Sequence, residues 1–168
     1  MSTVDARALS LLLLASCAST ASTGVADLAM RALEPPRFQR AVAEALDARG
    51  LALGPGRAVR IASRRELRCA VCVGGTRHCV AFLSAADRVT LGPFLPPRAG
   101  DAIVSAPGAE ADRGAQVLVL DEEDFRYQPD ASRASAQEPS VTEVEDRVRR
   151  RVLDWLAWLA SQGSLPAR

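Results

Sequence analysis

The sequence Leu-Arg-Cys-Ala-Val-Cys-Val-Gly-Gly-Thr-Arg-His-Cys-Val-Ala-Phe-Leu, residues 67–83, decides the fold. The Gly-Gly pair is a turn signal between two short apolar runs, so the stretch predicts a β-hairpin with a four-residue loop, Gly74 to Arg77. Successive side chains of a strand point to opposite faces. One face then carries the larger side chains, Leu67, Cys69, Val71, Val73, His78, Val80 and Phe82. The other carries small ones, Ala70, Cys72, Cys79 and Ala81. We expect the first face to belong to the hydrophobic core. We expect the second face, with its small side chains, to allow close approach of another group.

Three cysteines and the single histidine of the chain fall within residues 69–79, which raises the question of a metal site. A zinc site needs both sulfurs of Cys-x-x-Cys to converge on one ion, whereas Cys69 and Cys72 point to opposite faces of an extended strand. No second ligand pair follows Cys79, and no third group is identifiable that would orient His78 for nucleophilic catalysis. The interpretation is buried structural thiols, with no metal, no cofactor and no catalytic residues. Because the loop has four residues, Cys72 lies opposite Cys79; an oxidising compartment would allow a disulfide there, although cross-strand pairing often strains one.

Further strands are predicted on both sides of this hairpin. Alternation predicts one over residues 57–62, and short strands over residues 101–105 and 116–120 lead towards residues 125–127. A short helix capped by Ser84 fits residues 84–91. The order strand, strand, strand, helix, strand, strand is the plan of an OB-fold barrel. The predicted fold class is therefore mainly β with flanking helices: a five-stranded OB-fold-like barrel over residues 51–127, N-terminal helices and a long C-terminal amphipathic helix.

The blocks that carry a family resemblance are L-R-C-A-V-C-V-G-G-T-R-H-C-V-A-F-L (67–83), V-T-L-G-P-F-L (89–95), R-A-G-D-A-I-V (98–104) and Q-V-L-V-L-D-E-E-D-F (116–125). Together they resemble two related OB domains, the N-terminal domain of the large subunit of replication protein A and the OB domain of the shelterin protein that recruits telomerase. The resemblance lies in the order and spacing of the blocks; Gly74-Gly75 stands where those families usually carry Asp-Gly. It implies a binding module and not an enzyme, located in the nucleus.

Five arginines are the predicted binding site of that module. Residues 57–113 carry four more arginines than acids, although the net charge of the whole chain is only +1, which argues against a uniformly basic nucleic-acid coat. Single-strand binders stack bases on aromatic side chains, and the predicted barrel has almost none to offer. An acidic partner peptide is therefore the expected ligand, with single-stranded DNA as a second class. The predicted contact residues are Arg60, Arg64, Arg65, Arg68 and Arg77.

The N-terminal segment, residues 1–24, has two interpretations. Its apolar run is too short for a transmembrane helix and fits either a buried helix or the apolar part of a signal peptide. Leu-Ala-Ser-Cys, ending at Cys17, resembles a bacterial lipobox. The alternative function is therefore an exported lipoprotein with a small β-domain, anchored at Cys17 in a bacterial envelope. Residues 25–50 are predicted to be helical, with a helix over 36–49 that begins at Pro36 and ends before Gly50.

The C-terminal segment, residues 140–162, is the clearest predicted helix. Ser140 and Glu143 form a capping box. The apolar side chains that follow recur every three or four residues and form one face, either a contact with the protein's own core or a docking face for another subunit. As a partner-helix interface we predict Val144, Val148, Val152, Trp155 and Leu159.

Acidic side chains dominate the segment before that helix. Residues 121–147 carry six more acids than arginines. The run Asp121-Glu-Glu-Asp124 leads into a predicted linker, residues 128–139, and is expected to be solvated linker charge. Magnesium binding and docking against the protein's own arginines are the alternatives.

Overall fold

The structure is a computed structural model that describes residues 30–98, 102–129 and 138–166. These residues form a mixed α/β fold with a multi-stranded sheet and a long C-terminal helix. The helices are α1 Pro35–Asp47, α2 Ala85–Leu91 and α3 Val141–Ser161. The strands are β1 Arg31–Ala32, β2 Leu53–Pro55, β3 Ala58–Ala62, β4 Arg65–Arg68, β5 Val71–Val73, β6 Cys79–Leu83, β7 Ser105–Pro107, β8 Gln116–Asp121 and β9 Arg126–Tyr127. Single 3₁₀ turns lie at Gly92–Phe94, Glu110–Asp112 and Glu122–Phe125.

The strands of the described residues form three sheets and not one closed barrel. A five-stranded sheet has the order β2-β5-β6-β8-β7, β3 pairs with β4, and β1 pairs with β9. The predicted closed cylinder is therefore wrong, because neither edge of the five-stranded sheet pairs with the β3–β4 hairpin. A single backbone hydrogen bond, from the Ala109 amide to the Arg60 carbonyl, links the end of β7 to β3.

The hairpin that decided the prediction is present, with one irregularity. Val73 and His78 bracket the predicted loop, and Gly75 adopts a φ of +73° that glycine accepts without strain. Ala70 and Val71 both lie opposite Val80: the Ala70 amide donates to the Val80 carbonyl, while Val71 is the ladder partner. Two residues opposite one make a bulge, and the faces exchange there.

Both faces of the sheet are consequently buried, and the prediction that Leu67 and Cys69 share a face with Val71, Val73 and Val80 is wrong. Leu67 and Cys69 belong to the same core as the small side chains of β5 and β6. This inner core comprises Val59, Leu67, Cys69, Cys72, Cys79, Ala81, Leu83, Leu95, Ala106, Ala115, Val117 and Val119. The opposite face of the sheet packs against α1 and α3, with Phe82 stacked on Phe38 at 4.5 Å between ring centroids.

The C-terminal helix is part of this second core. Val144, Val148, Val152, Trp155 and Leu159 are 0% exposed and pack with α1 and the sheet. The prediction that they form an interface for a partner helix is wrong, because burying this face within the domain already removes its apolar surface from water. The predicted capping box at Ser140 and Glu143 is confirmed.

Several predicted boundaries shift. The helix α1 is confirmed, with Pro35 and Pro36 in its first turn and Gly50 at a φ of +64° behind it. Arg31–Ala32, predicted as helix, is a strand because it pairs with β9. The fourth predicted strand is displaced to Ser105–Pro107, although the Val104 carbonyl already accepts from the Val119 amide. The Cys17 prediction and the N-terminal segment lie outside the described residues.

Candidate partner-binding site

The β3–β4 hairpin presents the arginine-rich part of the chain. Ala62 pairs with Arg65, so Ser63 and Arg64 form the tight turn between the strands. Arg64 has a φ of +62°, a left-handed conformation that costs a non-glycine residue free energy. Val59 and Leu67 face the inner core from this hairpin, which fixes its orientation on the domain.

Three of the five predicted arginines meet at one cleft. Arg64, Arg65 and Arg68 line a cavity of about 360 Å³ that lies between β4 on one side and the end of β6 with α2 on the other. All three side chains are exposed. The remaining lining residues are Glu66, Leu67, Phe82, Leu83, Asp87, Thr90 and Leu91.

An exposed aromatic ring stands beside this cluster. The guanidinium of Arg65 lies 5.3 Å from the centroid of the Phe94 ring, a cation–π geometry. Phe94 is 42% exposed, although it belongs to the 3₁₀ turn that follows α2. Phe94 is not among the predicted contact residues; its signal in the sequence is an aromatic residue between prolines, where burial is not expected.

Arg60 is engaged within the protein. Its guanidinium bonds Glu110 at 2.9 Å and Glu66 at 3.2 Å. The Glu110 hydrogen bond, followed by that of Glu66, raises the pKa of Arg60. Its backbone amide bonds the Asp112 carboxylate at 2.8 Å. Arg60 therefore ties the hairpin to the Glu110–Asp112 turn and is not available as a free cation in the cleft.

Arg77 lies apart from the other predicted contacts. It belongs to the turn between β5 and β6, and its guanidinium donates to the Arg113 carbonyl at 3.3 Å. It does not line the cleft of Arg64, Arg65 and Arg68. The five predicted contacts thus separate into a cluster of three and two residues with other partners.

The cysteine–histidine segment is a structural element. Cys72 and Cys79 are cross-strand partners, as the four-residue loop predicted, but they are joined by a disulfide, so the interpretation as buried thiols is wrong for these two and holds for Cys69. Cys69 is buried, and burial raises the pKa of its thiol to about 12, so the nucleophilic thiolate is suppressed. In the part of the chain that the structure describes, no group of three or more His, Cys, Asp or Glu side chains is placed to hold a metal ion.

His78 connects three elements. Its Nδ1 accepts from the Gln116 amide at 3.2 Å, and its Nε2 lies 2.9 Å from the Ser164 carbonyl. A carbonyl accepts only, so Nε2 carries the proton and the ring is the neutral Nε2–H tautomer. His78 holds the residues behind α3 against the start of β8 and packs edge-on to Trp155.

The acidic run before the linker is not solvated throughout, which corrects that expectation. Asp121 is buried and accepts from Arg88 at 3.1 Å, with Arg98 at 3.5 Å. Glu123 accepts from Arg98 at 2.7 Å, which lowers the pKa of the Glu123 carboxyl. Two of the four acids, Asp121 and Glu123, are therefore paired with the protein's own arginines.

Comparison with known proteins assigns no ligand to the cleft. The chain matches no family model, no curated protein and no solved structure. Among the described residues, no helix combines the length and apolar character needed to cross a membrane.

Proposed function

We propose that this protein is a non-enzymatic OB-type adaptor of a DNA replication, repair or telomere complex in the nucleus, and that it binds an acidic partner peptide. The observation that carries the proposal is the cluster of Arg64, Arg65 and Arg68 at one cleft. Among the described residues no acid forms an ion pair with any of the three, whereas Arg60 is saturated by two carboxylates. Exposed guanidinium groups without carboxylate partners favour an anionic ligand.

The chain order supports an OB-type plan. β3, then β4 with β5, then β6 precede α2, and β7 and β8 follow it. The OB-fold is a partly open Greek-key barrel, and a five-stranded sheet joined to the β3–β4 hairpin by the Ala109–Arg60 hydrogen bond is compatible with such an opening. OB domains bind ligands across strands two and three and the loop between strands one and two. The arginine cluster occupies the corresponding positions: the β3–β4 turn, β4, and the cleft towards β6.

Peptide is favoured over nucleic acid by the nature of the cleft. Proteins that bind single-stranded nucleic acid present a series of aromatic side chains on which bases stack. Each stacked base contributes about 1–3 kcal/mol of binding free energy. Phe94 is the exposed aromatic ring beside this cleft among the described residues, and Arg65 already covers it. Single-stranded DNA is therefore the competing outcome of the experiment.

The experiment compares two triple variants that change charge equally. Arg64→Glu/Arg65→Glu/Arg68→Glu removes the cluster, and Arg113→Glu/Arg126→Glu/Arg150→Glu is the control at exposed arginines elsewhere. Fluorescence anisotropy measures binding of a labelled twelve-residue Asp/Glu-rich peptide and, separately, of labelled oligo(dT). We expect the cluster variant to bind the peptide at least about tenfold more weakly than the control variant. Equal affinities would refute the site, and a cluster-dependent loss for oligo(dT) alone would replace peptide by DNA as the ligand.

A second candidate is an exported lipoprotein with a small β-domain, and the Cys72–Cys79 disulfide favours it. Disulfides persist in oxidising compartments and are rare in nuclear proteins. Intact mass of the protein isolated from its native source distinguishes the two. Cleavage before Cys17 with an added lipid supports the lipoprotein, and an unlipidated chain with reduced Cys72 and Cys79 supports the nuclear adaptor.

A further inference from the structure

The strand β4 has a free edge. Among the described residues β4 pairs with β3 alone. The strand across the cleft, β6, pairs with β5 only at Cys79 and Val80, so its last three residues pair with β8 alone. Beyond the bulge at Ala70 the two strands are therefore not joined by a ladder, and the cleft lies between them.

The backbone of β4 points hydrogen-bonding groups at this edge. The Cys69 amide donates to the Arg57 carbonyl, so the 57/69 pair is a hydrogen-bonded pair of the β3–β4 ladder. Such pairs alternate with non-bonded pairs in an antiparallel ladder. The N–H and C=O groups of Glu66 and Arg68 must then point away from β3, towards the cleft. Arg60, the ladder partner of Glu66, behaves accordingly: its amide and carbonyl also point outward, to Asp112 and Ala109.

The cleft beside this edge has walls suited to an extended chain. Leu67 is buried beneath β4, and Leu83 with Leu91 lines the opposite side. On the outer side Arg68 projects beside Glu66, whose carboxylate already bonds Arg60. Because alternate side chains of β4 point to opposite faces, an inserted strand would meet Leu67 and Arg65 on the inner side and Arg68 on the outer side.

We propose that the ligand binds by strand addition: an extended peptide of alternating acidic and apolar residues pairs with the free edge of β4. This inference rests on the proposed function, which supplies the acidic character of the ligand. It adds that the bound peptide is an extended strand. Main-chain hydrogen bonds to Glu66 and Arg68 supply affinity, and alternate side chains supply specificity. The acidic side chains of the peptide face Arg68 and the turn residue Arg64, and the apolar ones face Leu83 and Leu91.

Two carboxylates in the cleft limit its preference for acids but do not abolish it. Glu66 accepts from Arg60, and Asp87 completes the capping box of α2 by accepting from the Ser84 hydroxyl and amide. Both are occupied within the protein, while the three cluster arginines carry no ion pair among the described residues.

The test uses three eight-residue peptides, each built from four Asp and four Val residues. The probe is a labelled eight-residue peptide of alternating Asp and Val. The second peptide carries N-methyl groups on the alternate amides that would bond β4, and the third has the order Asp-Asp-Val-Val-Asp-Asp-Val-Val, which loses the alternation. Because each net hydrogen bond contributes about 1 kcal/mol, we expect N-methylation to weaken binding at least about tenfold. Amide exchange of Glu66 and Arg68 should slow by at least about tenfold at saturation.

A protein variant provides an independent arm. Glu66→Pro removes the amide that points at the cleft without removing a β3–β4 bond, since proline is tolerated at edges facing away from the ladder. Glu66→Ala is the matched control, because both lose the Arg60 ion pair. Weaker binding of the alternating peptide by Glu66→Pro than by Glu66→Ala, with equal melting temperatures, supports strand addition.

The failures are distinguishable. If all three peptides bind equally and lose affinity with the arginine cluster, strand addition is refuted while the acidic-partner site stands. If none binds and the cluster variant behaves as its control, both proposals fall.

Discussion

The amide of Ala109 donates a 2.7 Å hydrogen bond to the carbonyl of Arg60, and this contact brings the chain after β7 back to β3. The side chain of Asp112 reinforces it by accepting from the Arg60 amide and from the Arg57 guanidinium at 2.6 Å. The hairpin that carries the arginine cluster is thereby fixed at one edge, while its other edge, along β4, lacks a paired strand among the described residues.

The Asp112 carboxylate should make stability depend on acid. The hydrogen bond from the Arg60 amide, then that from Arg57, lowers the pKa of this carboxyl below its ordinary value. A lowered folded-state pKa means that the stabilisation is present at neutral pH and is lost as the pH falls through the ordinary aspartate value, about 4, and below. We expect Asp112→Asn to lower the free energy of unfolding by about 1–2 kcal/mol at pH 7, and the difference from the parent protein to shrink below pH 4. Urea unfolding at both pH values measures this, and a difference that is constant with pH would contradict it.

The buried indole of Trp155 should be a major source of stability. Trp155 is fully buried between α1 and the sheet, whereas its neighbour Trp158 is partly exposed. We expect Trp155→Ala to cost about 3–5 kcal/mol, and Trp158→Ala clearly less. Equal losses in chemical denaturation would mean that α3 packs through a different face.

The imidazole of His78 should hold the end of α3. The substitution His78→Phe keeps an aromatic ring at this position and removes the hydrogen bonds to Gln116 and Ser164. We expect a loss of about 1–3 kcal/mol, because a buried amide and a carbonyl lose their partner. Hydrogen exchange should show the Gln116 amide losing protection relative to the core of β8. Unchanged protection of that amide would show that the His78 bond is not what orders it.

The thiols should separate into one disulfide pair and one protected cysteine. Reduction of Cys72–Cys79 should lower the free energy of unfolding by roughly 2 kcal/mol, since the closed loop is short. Cys69, buried and with a raised pKa, should react with maleimide only as fast as the protein unfolds. Rapid labelling of Cys69 in the folded protein would contradict its placement in the inner core.

Local patterns predicted the elements of this fold well. The Gly-Gly turn, the capping box at Ser140 and the stripe of α3 each depend on neighbours within a few residues, which a sequence displays directly. The Cys72–Cys79 pairing followed from the loop length alone. The bulge at Ala70 did not, because one extra residue opposite Val80 leaves no mark in the residue types and exchanges the faces on either side of it.

Long-range relations were harder to predict. The sequence favoured a closed barrel, but closure depends on how β3 and β4 meet the other strands, which no local pattern records. The apolar face of α3 fitted a partner as well as its own core; burial by α1 decides between them. The sequence predicted that the binding site consists of arginines and in which region they lie. It did not show which arginines form ion pairs within the protein. The positions of Glu66 and Glu110 decide this, because they pair with Arg60 and not with Arg64 or Arg68.

The measurement that tests the central claim most directly is a backbone-amide NMR titration of the isotope-labelled protein with the alternating Asp/Val peptide. If an acidic peptide occupies the arginine cleft, the shifted amides will cluster in residues 64–68 and 87–94, and the changes will saturate with one peptide per protein. Shifts centred on α3 or β9, or the same spectrum throughout the titration, would contradict it.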